Sequence, residues 1–532
     1  MLKKNPLFSI PKGPVLLIIM DGIGIGKKEE GNAVFLAHTP TLDALQKSPF
    51  YRTLRAHGKA VGMPSDDDMG NSEVGHNALG AGRIFDQGAS LVSNAIQTKT
   101  IYQGKTWNWV MQAKGTLHFI GLLSDGNVHS HIRHLKDMAE TAFSQGKHKI
   151  RFHVLLDGRD VGAKTALNYV DELETLLNAL NDKGADCQIA SGGGRMVTTM
   201  DRYNADWSIV KRGWDAHVLG KARFFQSAKQ AIHTFYSEQI TDQYLPPFVV
   251  TEKEKPKGLI EDGDSVIFFN FRGDRAIELT QAFEQDDFSH FDRVKRPQVR
   301  YAGMMQYDGD LKLPQHFLVD PPDIESPLGV YFCQTGLKSF AISETQKFGH
   351  VTYFWNGNKS GYINPQLERY VEIPSDQIPF DQAPEMKAKQ ITKETMALLQ
   401  SGQFQFGRVN FPNGDMVGHT GNMQATIAAV EATDLGVAQL IDCVKALNGI
   451  TVVLADHGNA DEMLTIKNGI KEPKTSHTLN PVPFAIIDQN ATYTLRQDLP
   501  DAGLANVAAT LCCLLGYEAP REYAPSLISA QR

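Results

Sequence analysis

Short apolar runs recur along this chain, most of them closing on a cluster of polar residues, with longer amphipathic stretches between them. The runs are Val15–Met20, Leu117–Leu123, Phe152–Leu156, Val266–Phe269, Phe340–Ile342, Gly407–Asn410, Ile450–Leu454 and Phe484–Ile487. Four to eight apolar residues bounded by turn signals read as a buried strand. Lys164–Leu180, Ala388–Leu399, Met423–Leu447 and Ala502–Leu515 instead repeat apolar residues at three and four, the helix period. Strands alternating with helices predict parallel sheets and an α/β fold. The charged stretch Thr251–Gly258 reads as a solvated surface loop.

At 532 residues the chain exceeds what one hydrophobic core usually supports, so two domains are expected. A net charge of −7 gives no electrostatic reason for nucleic acid or an acidic membrane as partner. The five cysteines are odd in number and form no C-x-x-C pair, which points to a reducing compartment. Val15–Met20 is too short for a signal peptide or a membrane span. A cytoplasmic, soluble protein is the expectation.

The placement of the polar residues narrows the function. Asp21, Ser124–His131, Asp157–Val161, Asn270–Arg275, Ser343–Lys347, Asn413–His419 and Asp456–Asn459 each follow an expected strand. Ligands of open α/β sheets bind at the carboxyl ends of strands, so much of the chain is organised around active-site clefts. Asp21, Asp415, His419, Asp456, His457 and His477 offer carboxylate and imidazole ligands, which suit divalent manganese, magnesium, zinc or cobalt. Gly22, Gly24 and Gly26 are spaced G-x-G-x-G with Lys27 where a dinucleotide motif needs its third glycine, and no acidic residue closes a strand at the right offset. A nicotinamide site is therefore not expected.

Ser72 stands in DDDMGNSEVGHN, between Gly70 and Gly75. Such a serine is either a helix cap or a hydroxyl nucleophile activated by a metal. Arg159, Arg195, Arg202, Arg272 and Arg275 lie in or near glycine-rich or strand-terminal segments, where a planar guanidinium can pair with phosphate or carboxylate. Lys347 adds a point charge just past another strand.

Taken together, these segments resemble the cofactor-independent (2,3-bisphosphoglycerate-independent) phosphoglycerate mutases of the alkaline phosphatase superfamily. The resemblance covers nearly the whole chain in motif order: LLIIMDGIG, MGNSEVGH, GLLSDGNVHSH, LDGRDV, NFRGDRA, GDMVGHTGN, ADHGNAD and SHTLNPVP. It implies an alkaline-phosphatase-like parallel-sheet domain, residues 1–87 and 322–532, that binds two metals. A second α/β domain, residues 88–321, would be inserted in it and clamp the substrate. One metal would use Asp415, His419 and His477; the other Asp21, Ser72, Asp456 and His457. Ser72 would become phosphoserine, held by Lys347. His129, Arg159, Asp160, Arg195, Arg202, Arg272 and Arg275 would bind 2- and 3-phosphoglycerate, with Asp160 the acid/base. The resemblance further implies a monomer acting in glycolysis and gluconeogenesis, with manganese as the first candidate ion and magnesium or cobalt as alternatives. SGGGR at Ser191–Arg195 and Gly273 depart from the commonest bacterial pattern and are similar to a kinetoplastid-type and plant-related branch.

Overall fold

The computed structural model describes residues 1–202, 205–308, 312–322, 324–467 and 470–531. The chain divides into two compact units, one formed by Met1–Gln87 with Asp323–Arg532 and the other by the intervening Gly88–Pro322. Each unit is built on its own α/β sheet.

The first unit holds a seven-stranded sheet in the order Glu368–Ile373, Ser339–Glu344, Phe406–Phe411, Val15–Met20, Ile450–Leu454, Val482–Ile487, Tyr51–Leu54. The first five strands run parallel. Val15–Met20 is central, and all six of its side chains are buried, as its unbroken apolar run requires in a sheet covered on both faces. The last two pairings of this otherwise parallel sheet are antiparallel: Val482–Ile487 returns directly beside Ile450–Leu454 without a crossover helix. The 24-residue helix Met423–Ala446 packs near this sheet; the Asn422 side chain caps it by accepting from the Ala425 N–H.

The second unit has a nine-stranded sheet with Leu117–Leu123 in its middle, flanked by Lys149–Leu156 and Ser265–Phe268 in parallel register. Asp186–Gly194 lies beyond Lys149–Leu156, and Arg300–Met305 beyond Ser265–Phe268. Leu117–Leu123 thus pairs on one side with its successor in sequence and on the other with a strand far along the chain. That arrangement is a topological switch point, where a crevice opens beyond the carboxyl ends. Part of Thr251–Gly258 is not a loop: Thr251 and Glu252 pair antiparallel with Pro256 and Lys255, so the stretch forms a hairpin tip, solvated as expected, with Glu252, Lys253, Glu254 and Lys255 all exposed. Among the described residues no helix is long and apolar enough to cross a membrane.

Candidate metal centre and arginine cluster

Strand register assembles the first site. Met20 lies beside Phe411 and Ile19 beside Leu454, so the segments leaving three adjacent strands emerge at one edge. They carry Asp21, the short helix Asn413–Gly418 with Asp415, and Asp456-His457. Lys347 comes from the helix that follows Ser339–Glu344, the neighbour on the far side of Phe406–Phe411. His419 follows Asp415 by one helical turn, bringing its Nε2 to 2.9 Å from Asp415 Oδ1. The loop before Val482–Ile487 contributes His477, 3.1 Å from the same oxygen.

Ser72 opens the helix Ser72–Ala81 but does not cap it. Asn71 does, its side chain accepting from the N–H groups of Glu73 and Val74 at 3.0 and 3.1 Å. The Ser72 hydroxyl is thereby released from capping and lies 2.9 Å from His457 Nε2 and 3.2 Å from Asp21 Oδ1. Lys347 Nζ contacts the same hydroxyl and is 2.7 Å from both Asp21 and Asp415. Gly75 lets this helix approach, since a Cβ there would meet the Asp456 carbonyl oxygen at 2.9 Å.

The donor chemistry fits divalent cations. His419 Nδ1 donates to the Thr475 carbonyl at 2.6 Å and His477 Nδ1 to the Gly70 carbonyl at 2.9 Å, leaving both Nε2 lone pairs turned inward, 3.0 Å apart. Backbone acceptors of this kind are how ligating imidazoles are oriented. Two groups of three converge closely enough to share an ion: Asp21, Asp456 and His457, and Asp415, His457 and His477. Asp456 Oδ2 is buried without a hydrogen bond, because the nearest donor, His76 Nδ1 at 3.3 Å, serves the Ser72 carbonyl at 2.7 Å. Three buried carboxylates face one ammonium, and the surplus shows in the titration of His457. Burial would depress it, yet Asp456, Asp21 and Asp415 lift it to about 9. Asp415 is held well below the usual carboxylate range: burial opposes ionisation, but His419 and Lys347 outweigh it.

The second unit gathers the arginines. Asp157, just after Lys149–Leu156, turns its Oδ1 back to accept from the N–H groups of Arg159 and Asp160 at 3.1 and 3.0 Å. Arg195, just past Asp186–Gly194, donates to Asp157 at 2.8 Å and to Asp160. Asp274 receives Arg272 Nε at 3.0 Å and Arg202 Nη1 at 3.2 Å, with His129 Nδ1 at 3.8 Å. Arg275 Nη1 donates to the Met200 carbonyl at 2.6 Å. All of these side chains are buried. Five guanidiniums against the carboxylates of Asp157, Asp160 and Asp274 leave an excess of two positive charges. Arg275 registers it: burial, then Arg202, Arg195 and Arg159, press its pKa well below the ordinary arginine value. His129 Nδ1 is a buried nitrogen with no hydrogen bond. Such a cluster can hold a small, multiply charged anion.

Reading the sequence did not find Asp157, Asp274, His76 or Asn410 as members of these clusters. Asp157 and Asp274 stand inside the motifs LDGRDV and NFRGDRA, and their proximity to so many arginines was the available signal. Asn410 donates to Asp21 Oδ2 at 2.8 Å from within a strand that otherwise reads as core.

Comparison with known proteins agrees with the motif order. Residues 13–519 match the metalloenzyme superfamily. A probable 2,3-bisphosphoglycerate-independent phosphoglycerate mutase of Leptospira interrogans is 54% identical over 99% of both chains. The 2,3-bisphosphoglycerate-independent phosphoglycerate mutase of Trypanosoma brucei brucei is 50% identical over 98% of both. A crystal structure of Leishmania mexicana phosphoglycerate mutase, determined at low cobalt concentration, superposes with a TM-score of 0.98 at 52% identity and covers both chains completely. This chain belongs to the family of 2,3-bisphosphoglycerate-independent phosphoglycerate mutases.

Proposed function

We propose that the chain interconverts 3-phosphoglycerate and 2-phosphoglycerate without bisphosphoglycerate, passing the phosphate through Ser72. The observation that carries this reading is the Ser72 hydroxyl, freed from helix capping by Asn71 and set against Lys347, Asp21 and His457.

In the forward reaction Ser72, its hydroxyl proton already lost to water, attacks phosphorus in line as the alkoxide, forming the Oγ–P bond as the bond to the 3-oxygen breaks. Asp160, which takes up a proton as the anionic substrate binds, delivers it to that departing oxygen and is left as the carboxylate. The Lys347 ammonium steadies negative charge on Oγ and on the transferring phosphoryl group. Asp21, Ser72, Asp456 and His457 would hold one divalent ion and Asp415, His419 and His477 the other. Bound there, the two ions would supply Lewis-acid stabilisation and lower the pKa of the serine hydroxyl. His129, Arg159, Arg195, Arg202, Arg272 and Arg275 hold the glycerate through the first transfer. Its 2-hydroxyl then gives its proton to Asp160 as the 2-oxygen takes phosphorus from Ser72. Most of the rate gain comes from positioning and charge stabilisation.

Aspartates and histidines without thiolate suit a hard-to-borderline divalent ion, and manganese is the first candidate, with magnesium and cobalt as alternatives. Five free cysteines, four of them buried, support a reducing cytoplasmic setting, where the enzyme acts as a monomer. The test is a coupled assay of 3-phosphoglycerate conversion with manganese present and no bisphosphoglycerate added. Turnover supports the assignment; a strict requirement for bisphosphoglycerate overturns it.

A further inference from the structure

The second unit carries a file of buried polar side chains that none of these steps uses. It starts at Asp264, whose Oδ2 lies 3.0 Å from His118 Nε2. His118 Nδ1 is 3.0 Å from His153 Nε2, and His153 Nδ1 is 2.6 Å from Ser191 Oγ. Ser191 Oγ is 2.7 Å from His217 Nδ1, and His217 Nε2 is 2.9 Å from Thr199 Oγ1. The file thus crosses the strands Leu117–Leu123, Lys149–Leu156 and Asp186–Gly194, passes through His217 on the helix Trp207–His217 and ends at Thr199. Its histidines, Ser191 and Thr199 are all buried.

Proton counting leaves one arrangement. Asp264 already accepts from the N–H groups of Thr116 and Glu261 at 2.7 and 2.8 Å, so it is an anionic acceptor and His118 must donate to it. A neutral imidazole has one donor and one acceptor. His118 Nδ1 therefore accepts from His153, His153 Nδ1 accepts from Ser191, Ser191 accepts from His217, and His217 Nε2 accepts the Thr199 hydroxyl. Every donor points toward Asp264, and one added proton on any of the three imidazoles would break the order.

Thr199, where the file ends, has φ +70°, a left-handed conformation that a β-branched residue strongly disfavours. The helix Trp207–His217 grips it at three points. The Ile209 carbonyl accepts the Thr199 N–H at 2.8 Å, and His217 accepts its hydroxyl. Gly213, one turn before His217, makes room: a Cβ there would stand 2.0 Å from Thr199 Oγ1. The next residue is Met200, whose carbonyl receives Arg275 Nη1, and two residues further stands Arg202 on Asp274.

We infer that His217, at the end of the ordered file from Asp264, is a positioning residue: it fixes Thr199 in the left-handed turn that orients Arg275 and Arg202. This rests on the reading of those arginines as the glycerate clamp, and the experiment separates the two. KM and kcat for 3-phosphoglycerate are measured on full-length, manganese-loaded enzyme. Thr199→Val keeps the shape but removes the hydroxyl, and KM should rise about tenfold, a cost of about 1.4 kcal/mol, with a smaller change in kcat. Thr199→Ser retains the hydroxyl and should return KM to within about twofold of the unaltered enzyme. His217→Ala should repeat the Thr199→Val effect, and adding Thr199→Gly to it should bring KM back down, because glycine adopts positive φ without an anchor. A lesion that is merely structural gives no such rescue. Should His217→Ala fail to fold, the Thr199 series decides alone. Unchanged KM in Thr199→Val, or no rescue by serine, overturns the positioning role if Arg275→Lys still raises KM. If Arg275→Lys leaves KM unaltered, the clamp reading itself falls.

Discussion

Replacing Arg202 by alanine asks what separates a mutase from a phosphatase. Both chemistries form phosphoserine and differ in whether glycerate or water accepts the phosphate next. Arg202 is suited to the question because its loss should spare the fold. It donates to Asp274 at 3.2 Å, but Arg272 remains on the same carboxylate at 3.0 Å. Asp274 is held well below the usual range against its burial by Arg272 first, then His129 and Arg202, so it stays compensated in the variant. Arg195 makes the contrast, since it bridges Asp157 and Asp160. Asp157 is already raised by burial and by Asp160. Removing Arg195 would leave two buried carboxylates facing each other, a loss of about 3–5 kcal/mol in stability. For Arg202 the loss falls on glycerate retention instead. A hydrogen bond to a charged group contributes about 1.5–3 kcal/mol, and glycerate should therefore escape about ten to a hundred times more readily. The assay is the ratio of inorganic phosphate released to 2-phosphoglycerate formed, with 3-phosphoglycerate and metal saturating. That ratio should rise in Arg202→Ala, and likewise in Arg159→Ala, while total turnover falls. Isomerisation and hydrolysis declining in equal proportion would refute the retention argument.

Chelation should abolish activity reversibly, with manganese restoring it best and metal affinity weakening as pH falls below about 9, where His457 takes up a proton, and further below about pH 6.5 as ordinary histidines protonate; full turnover with no metal detectable by elemental analysis would contradict the two-metal reading. Stability should fall on mild acidification through the buried file of histidines. Burial depresses His118, His153 and His217, the last to about 3, so below about pH 6.5 the unfolded chain binds protons that the folded one refuses. Stability is complete above that pH and is lost as pH drops toward the folded values. His217 by itself costs about 1.4 kcal/mol between about pH 7.5 and 5.5, and His118 and His153 shift stability in the same direction. Urea midpoints across that range measure it, and a flat profile would mean that the file accepts protons while folded.

What could be read in the sequence depended on burial. Val15–Met20, Leu117–Leu123 and Ile450–Leu454 are found residue for residue, because strands covered on both faces spell continuous apolar runs. Glu368–Ile373 escaped notice: it is an edge strand with partly exposed, mixed side chains. Asp186–Gly194 was hidden by its three terminal glycines, which read as a loop but are buried strand. Asp21, Asp415 and Asp456 could be grouped because each closes or closely follows a strand, and those strands are neighbours. Pairings across the fold carry no such local mark. Nothing near His118 in sequence announces His153, Ser191 or His217, since their spacing is set by strand adjacency alone. The role of Asn71 was hidden for a different reason. Ser72 and Asn71 are both good capping residues, and only the backbone decides which of them faces the helix.

The most direct test of the route through Ser72 is rapid-quench mass spectrometry of the manganese-loaded enzyme during turnover of 3-phosphoglycerate. Phosphate should appear on Ser72 within the first turnover and disappear as substrate is exhausted. Ser72→Ala should stay folded and bind phosphoglycerate, yet neither isomerise it nor acquire phosphate. Phosphate trapped on another residue, or substantial mutase activity in Ser72→Ala, would contradict the phosphoserine route.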